Sequence, residues 1–238
     1  MSQDQPIYNG PRVVLAVLAI LVAVHVARSY IGDADDEWVI LANAFIPARY
    51  AGRILPGGDI AKATSFFTHI ALHGDLTHLL MNCGWLLAFG TIVGRRITAP
   101  SFLALLAVTG AAGAALFLAC NWALAQPMVG ASGAISGLMG AAVRFIFLPE
   151  GFDQASGGAA RTRCMTLAQV LRDSRARLMI ISWVVINLLF GLLLGQFFTA
   201  GGIAWEAHLG GFFAGLLLFA WFDRAQPAGA PTADPAVH

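Results

Sequence analysis

Apolar positions along this chain of 238 residues gather into six long segments, which polar or charged stretches separate. Each segment is close to the roughly 20 residues that an α-helix needs to cross the hydrocarbon core of a bilayer. The pattern predicts an all-α polytopic membrane protein with six transmembrane helices and one long loop between the first two. The predicted spans are residues 12–30, 76–94, 101–124, 131–148, 178–198 and 203–222.

Composition supports a membrane location. Hydrophobic residues make up 58% of the chain and charged residues 11%, whereas a soluble domain carries about a quarter charged residues. The formal net charge of +1 argues against the strongly basic surface that nucleic-acid-binding proteins need. Cys83 and Cys120 lie in predicted spans and Cys164 lies in an arginine-rich loop, which predicts free thiols and no disulfide framework.

The distribution of arginine predicts the orientation of the helices. Basic residues follow the second and fourth spans, whereas the short loops after the third and fifth spans hold none. Because short basic loops stay in the cytoplasm, both termini are expected there, and the long loop at residues 31–75 is expected on the extracytoplasmic side. The arginines concerned are Arg95, Arg96, Arg161, Arg163, Arg172, Arg175 and Arg177.

The chain is interpreted as one membrane domain, residues 12–222, between two short cytoplasmic ends. Residues 1–11 form the N-terminal end. The first span is interpreted as an uncleaved signal anchor, because "VARS" at residues 26–29 is a poor cleavage site. Residues 223–238 are rich in proline and alanine and lack periodicity, which predicts a disordered tail.

The fourth span begins with a glycine-rich stretch, "GASGAISGLMG", that puts Ser132 near its outer end. On a helix, Ser136 follows one turn below and Gly140 two turns below. Gly133 and Gly137 are four residues apart, a spacing that lets another helix approach closely. Taken alone, this segment is more typical of a packing helix whose serines bond to backbone carbonyls.

The sixth span starts from the same side with "AHLGGFFAG", and His208 lies within about two turns of the outer surface. Gly211 and Gly215 follow it on one face. Two glycine-lined faces would pack backbone to backbone and bring the Ser132 hydroxyl within reach of the His208 imidazole. A core histidine bonded to a carbonyl would explain His208 alone, but it is a weaker explanation once Ser132 shares its depth.

The second span carries His78 and Asn82 on one helical face, four residues apart. Asp75 is expected to cap this helix, and the helix N-terminus disfavours a charged imidazole. A neutral imidazole and an amide are both hydrogen-bond donors. A pair that only satisfies hydrogen bonds between helices accounts for these two residues almost equally well.

Other polar residues near the spans do not predict a metal site or a third catalytic acid. His69 and His73 have the spacing of a zinc pair on a helix, but no nearby glutamate supplies the base of an H-E-x-x-H site. Glu206 is two residues before His208 and points to nearly the opposite side, so it is interpreted as an interfacial residue. No cofactor is expected.

Together, "HGDLTHLLMN", "GASGAISGLMG" and "AHLGGFFAG" resemble the motifs of the rhomboid family of intramembrane serine proteases, on the second, fourth and sixth spans in the family's order. The resemblance implies a six-span rhomboid bundle with a Ser-His dyad, in which Ser132 is the nucleophile and His208 the general base. It implies that His78 and Asn82 line the oxyanion hole. His69 and His73 would support the first loop.

The resemblance also implies substrates and a location. Transmembrane segments of other proteins, with locally unstable helices, would be cut near their outer ends, at small residues. The expected location is the lipid bilayer of a bacterial inner membrane, with the active site open to the extracytoplasmic side. Two other functions stay open: a catalytically silent rhomboid-like protein that binds client segments, and a histidine-based metal transporter or metalloenzyme.

Two positions depart from the family pattern. Many members carry a Trp-Arg pair in the first loop, where this chain has Thr64 and Ser65. Many bacterial members have a tyrosine four residues after the nucleophile, with its ring packed on the histidine, where this chain has Ser136. The first departure leaves the anchoring of the loop open, and the second requires another means of orienting His208.

Overall fold

The computed structural model describes residues 10–148, 163–194 and 203–223. Helices supply the regular secondary structure within these ranges, which confirms the predicted all-α class. Most of the predicted N-terminal end and of the predicted tail, 223–238, lies outside the described residues. The helices are α1 (Arg12–Arg28), α2 (Asp33–Asn43), α3 (Gly58–Thr68), α4 (Leu76–Gly94), α5 (Ala99–Cys120), α6 (Ser132–Val143), α7 (Leu167–Arg172), α8 (Ser174–Leu189) and α9 (Trp205–Phe222).

A helix forms at each of the six predicted spans: α1, α4, α5, α6, α8 and α9. Four of them, namely α4, α5, α8 with its continuation, and α9, are long and apolar enough to cross a membrane. Two contain a wider π-helical turn, at Leu86–Gly90 within α4 and at Phe190–Leu194 after α8. Helix α1 has 17 residues and α6 has 12, so both are shorter than the other four.

Helix α6 is shorter than its predicted span, since it ends at Val143 rather than at residue 148. Its 12 residues span about 18 Å at 1.5 Å per residue. Directly after the helix, the side chain of Arg144 is buried and donates to the carbonyls of Met165 and Leu216 at 2.6 and 2.7 Å. Every residue of α6 after Ser132 is buried, so the other helices shield this short helix from lipid.

Glycines set the closest approach in the bundle, between α6 and α9. A Cβ atom on Gly211 would overlap the carbonyl oxygen of Gly133, and one on Gly215 would overlap the carbonyl oxygen of Gly137. A Cβ on Gly140 would overlap the backbone of α9 at Phe212. The two backbones therefore touch along more than one helical turn, and the N-terminal ends of α6 and α9 lie side by side.

Helix α5 packs on the same pair through a second set of small residues, which the sequence analysis did not identify. A Cβ atom on Gly113 would lie 2.6 Å from the carbonyl oxygen of Ala207, and one on Gly210 would lie 2.8 Å from that of Ala112. The space beside Gly137 is filled by the side chain of Thr109. Helices α5, α6 and α9 therefore form one closely packed group.

The long first loop folds into α2, α3 and short 3₁₀ turns at Pro47–Arg49 and His69–Ala71. The side chain of Arg49 connects two parts of this loop, since the residue is 2% exposed and donates to the carbonyls of Pro56 and Leu41. The Tyr50 hydroxyl donates to the Lys62 carbonyl at 2.6 Å. These bonds hold the loop without the Trp-Arg pair.

Candidate active site

Ser132 is the first residue of α6, directly after a tight turn at Gly130. Gly130 has φ +119°, which lies in the left-handed region that side chains disfavour. Its backbone N–H donates to the His69 carbonyl at 2.9 Å, which ties the turn to the first loop. The first N–H groups of a helix lack intrahelical acceptors, so Ser132 presents both its hydroxyl and its own N–H at the positive end of α6.

The side chains of Ser132 and His208 are hydrogen-bonded. The Oγ atom of Ser132 lies 2.8 Å from Nε2 of His208, which is in the first turn of α9. Both residues are partly exposed, whereas Gly133 and Ala207 beside them are buried. The pair therefore lies at the end of the α6–α9 contact, where another molecule can reach it.

The second ring nitrogen of His208 is bonded to Asn187, a residue that the sequence analysis missed. Nδ1 of His208 lies 2.9 Å from Oδ1 of Asn187, and Nδ2 of Asn187 donates to the Trp205 carbonyl at 2.9 Å. Asn187 and Ala176 are the two buried residues of α8. An isolated asparagine in the apolar run "WVVINLLF" was the available signal, because polar residues inside spans face partners.

His78 and Asn82 lie on α4, beside the turn that leads to Ser132. The Asp75 carboxylate caps α4 by accepting from the His78 N–H at 2.8 Å. A Cβ atom on Gly130 would lie 2.7 Å from Nε2 of His78, so this imidazole is in contact with the turn. Asn82 is 4% exposed, and its Nδ2 donates to the His78 carbonyl at 2.9 Å. The structure thus brings His78 next to the Ser132 turn and leaves Asn82 one helical turn further along α4.

Comparison with known proteins agrees with this arrangement. A family model described as "Rhomboid domain" matches residues 61–225, which is more than half of the chain. The chain belongs to the rhomboid family. No curated protein matches it. The matched part of this rhomboid begins within α3 and contains the elements that carry Ser132, His208, His78 and Asn82.

Ser136 of this rhomboid is bonded within its own helix. It is 3% exposed, and its Oγ donates to the Ser132 carbonyl at 2.8 Å. The hydroxyl is therefore committed to the backbone of α6. It lies one turn below Ser132.

Glu206 is held by a residue outside the site. Its Oε1 accepts from Nδ2 of Asn121 at 2.9 Å, and the residue is 8% exposed. The hydrogen-bond partner of Nδ1 of His208 in the described part of the chain is an amide, from Asn187, and not this carboxylate.

The two histidines of the first loop are buried. Nδ1 of His69 donates to the Ser65 carbonyl at 2.8 Å, and burial lowers the pKa of His69 to about 4. Burial, with smaller effects from neighbouring histidines, also lowers the pKa of His73 to about 4. The His73 ring lies 5.1 Å from the ring of His78, centroid to centroid. Both loop histidines are thus neutral at pH 7, and within the described ranges there is no cluster of side chains suited to a metal ion.

Proposed function

We propose that this rhomboid is an intramembrane serine endopeptidase that cleaves transmembrane segments of other membrane proteins. The observation that carries the proposal is the 2.8 Å hydrogen bond between Ser132 Oγ and His208 Nε2. These residues are 76 positions apart in the chain, and both lie at N-terminal ends of tightly packed helices. A nucleophile within hydrogen-bond reach of a base is the arrangement that acyl transfer through serine needs.

The reaction follows from the roles of the two side chains. His208 Nε2 takes the proton of the Ser132 hydroxyl while Oγ bonds to the scissile carbonyl carbon. The C–N bond then breaks, and the imidazolium returns its proton to the leaving amine. Water, activated by the same nitrogen, releases the carboxyl product from the acyl-enzyme. Each step moves one proton through His208. The imidazole therefore has to begin the cycle neutral, with no hydrogen on Nε2.

Three groups are suited to stabilise the oxyanion of the tetrahedral intermediate. The Ser132 N–H lies at the positive end of α6, where its direction favours negative charge. The His78 imidazole is beside the same turn, and Asn82 carries a second amide hydrogen in addition to the one that it donates to the His78 carbonyl. Donors of this kind act most strongly where charge develops in the transition state.

Substrates and location follow from the environment of the site. Rhomboids act on membrane proteins in a lipid bilayer, and this chain has helices apolar enough to reside there. Peptide hydrolysis needs water, which is consistent with partly exposed positions for Ser132 and His208 at one end of the bundle. A stable substrate helix shields its own carbonyls, so locally unstable helices are favoured.

The arginine pattern supports cytoplasmic termini and a site that opens to the extracytoplasmic side of a bacterial inner membrane.

The test is cleavage of a model transmembrane substrate by the purified protein in detergent. Wild-type protein is expected to cleave it with or without a metal chelator, and Ser132→Ala is expected to be inactive with an unchanged melting temperature. Binding of the substrate without cleavage by wild-type protein would favour a catalytically silent client-binding protein. Loss of activity in the chelator would favour a metal-dependent function.

A further inference from the structure

We infer that Asn187 is a positioning residue, which holds His208 in the tautomer and ring orientation that the reaction of Ser132 requires. The inference rests on the proposed function and extends the Ser-His dyad to a third side chain. That side chain comes from α8, a helix to which neither the sequence motifs nor the proposed chemistry assigns a role.

The orientation of the Asn187 amide is determined by its own hydrogen bond. Its Nδ2 donates to the Trp205 carbonyl, an obligatory acceptor, at 2.9 Å. The amide oxygen therefore has to be the atom that faces Nδ1 of His208, at 2.9 Å. Because a carbonyl oxygen can only accept, Nδ1 has to carry the hydrogen.

This assignment determines the protonation of the other ring nitrogen. A neutral imidazole with its hydrogen on Nδ1 has a lone pair on Nε2. Nε2 is the atom 2.8 Å from Ser132 Oγ, so it is ready to accept the hydroxyl proton. The other tautomer would direct the Nδ1 lone pair at the amide oxygen and would leave Nε2 unable to act as a base.

The position of Asn187 on α8 supports a specific role. The helix is largely exposed, as a lipid-facing helix is expected to be, and Asn187 is 4% exposed. The hydrogen bond to the Trp205 carbonyl is sufficient to connect α8 to α9. The amide oxygen makes a separate contact, which ends on the proposed base.

The bond from Asn187 also provides a means of orienting His208 in a chain that has Ser136 in place of the tyrosine of the family pattern. Ser136 has no ring to pack against the histidine, and its hydroxyl is bonded to the Ser132 carbonyl. A bond to Nδ1 restrains the imidazole from its opposite edge. Asn187 is also neutral, so it orients the ring without placing an isolated negative charge at its own buried position.

The experiment compares three variants with wild-type protein in one detergent: Asn187→Leu, Asn187→Asp and the control Ala176→Val. Leucine removes both bonds with little change in size. Ala176 is the other buried residue of α8, so Ala176→Val perturbs the docking of the helix away from His208. The measurements are kcat, KM, the melting temperature and the rate at which Ser132 reacts with a fluorophosphonate.

Asn187→Leu is expected to lower kcat by between about ten- and a thousand-fold with a small change in KM, and to slow the fluorophosphonate reaction, since the wrong tautomer of a catalytic histidine is costly. Ala176→Val is expected to lower the melting temperature with little change in kcat. Asn187→Asp is expected to shift the acid limb of the pH profile of kcat/KM to higher pH, because a carboxylate favours the imidazolium. His78, the other imidazole at the site, is common to every variant.

The outcomes separate the two proposals. Activity of Asn187→Leu within twofold of wild type, or an acid limb in Asn187→Asp at the wild-type pH, would overturn the role of Asn187 and leave the protease assignment intact. If Asn187→Leu fails to fold, the pH profile of Asn187→Asp decides alone. A wild-type protein that neither cleaves nor reacts at Ser132 would overturn the proposed function and this inference with it.

Discussion

The carbonyl oxygen of Gly133 occupies the space where a side chain on Gly211 would begin. This contact joins α6 to α9 at the residue after Ser132 and about one helical turn after His208. The absence of a side chain on Gly211 lets the two backbones come this close, and a side chain there would push the helices apart and lengthen the distance from Oγ to Nε2.

Gly211→Ala is expected to destabilise the protein strongly, because the methyl group meets backbone that cannot move aside without shifting a helix. Overpacking of this kind costs about 1–3 kcal/mol, and occasionally more. Thermal unfolding in detergent measures the effect. Gly84→Ala is the control, since a Cβ atom at Gly84 in α4 meets no atom within 4 Å. A melting temperature for Gly211→Ala equal to that of Gly84→Ala would contradict the close contact.

Gly130→Ala is expected to impair activity beyond its effect on stability. The substitution puts a methyl group into a left-handed turn and within 2.7 Å of Nε2 of His78. Gly52→Ala is a matched control, since Gly52 has φ +94° but open space around its Cβ position. Both variants are expected to lose about 1 kcal/mol or more of folding free energy, and only Gly130→Ala is expected to lose kcat. Equal kcat values per folded molecule would show that the turn does not position the site.

Some features of the structure can be predicted from the sequence, namely the helices of the membrane spans and the ends at which Ser132 and His208 lie. Hydropathy alone located six helices, because lipid imposes length and apolarity on each span. The glycine spacing predicts that Ser132 and His208 lie at the same end of two packed helices, and in the structure their side chains are hydrogen-bonded. These inferences depend on local patterns, which a single sequence contains.

Features that depend on distant backbone atoms were not predictable in the same way. Arg144, directly after the early end of α6, bonds to the carbonyls of Met165 and Leu216, which are 21 and 72 residues away. The role inferred for Asn187 depends on its hydrogen bonds to the Trp205 carbonyl and to His208. Arg49 likewise connects two parts of the first loop through backbone carbonyls. Every residue type has a backbone carbonyl, so no sequence motif identifies which carbonyl accepts a particular hydrogen bond.

Asn82→Ala is expected to lower kcat by about a hundred- to a thousand-fold, with a smaller change in KM, if its amide helps to bind the oxyanion. Ser132 should still react with a small fluorophosphonate, although more slowly. The melting temperature in the same detergent is the necessary companion measurement, since Asn82 is buried and bonded to the His78 carbonyl. A large loss of stability with little loss of kcat per folded molecule would remove Asn82 from the site.

The stability of the protein is expected to fall as the pH drops from about 6.5 to 4. Burial lowers the pKa of His69 to about 4 in the folded state, whereas an unfolded histidine has a pKa near 6.5. Between these values the unfolded chain binds the additional proton, so unfolding becomes more favourable as the pH falls. The contribution of His69 is present above pH 6.5 and is lost as the pH approaches 4.

Melting temperatures in detergent across pH 4 to 7 measure this dependence. His69→Gln keeps a donor for the Ser65 carbonyl but does not titrate, so its melting temperature should depend less on pH. His73, with a pKa also lowered to about 4, accounts for part of the dependence that remains. A wild-type melting temperature that is constant from pH 6.5 to 4.5 would contradict a neutral, buried His69.

The identity of the residue that reacts with a fluorophosphonate tests the central claim most directly. Wild-type protein, treated with the reagent and digested, is expected to carry one adduct, on Ser132, because only this serine is hydrogen-bonded to His208 in the described part of the chain. The adduct should be absent from Ser132→Ala and should form far more slowly in His208→Ala. An adduct on Ser136, or no adduct on a protein that cleaves its substrate, would contradict the assignment of Ser132 as the nucleophile.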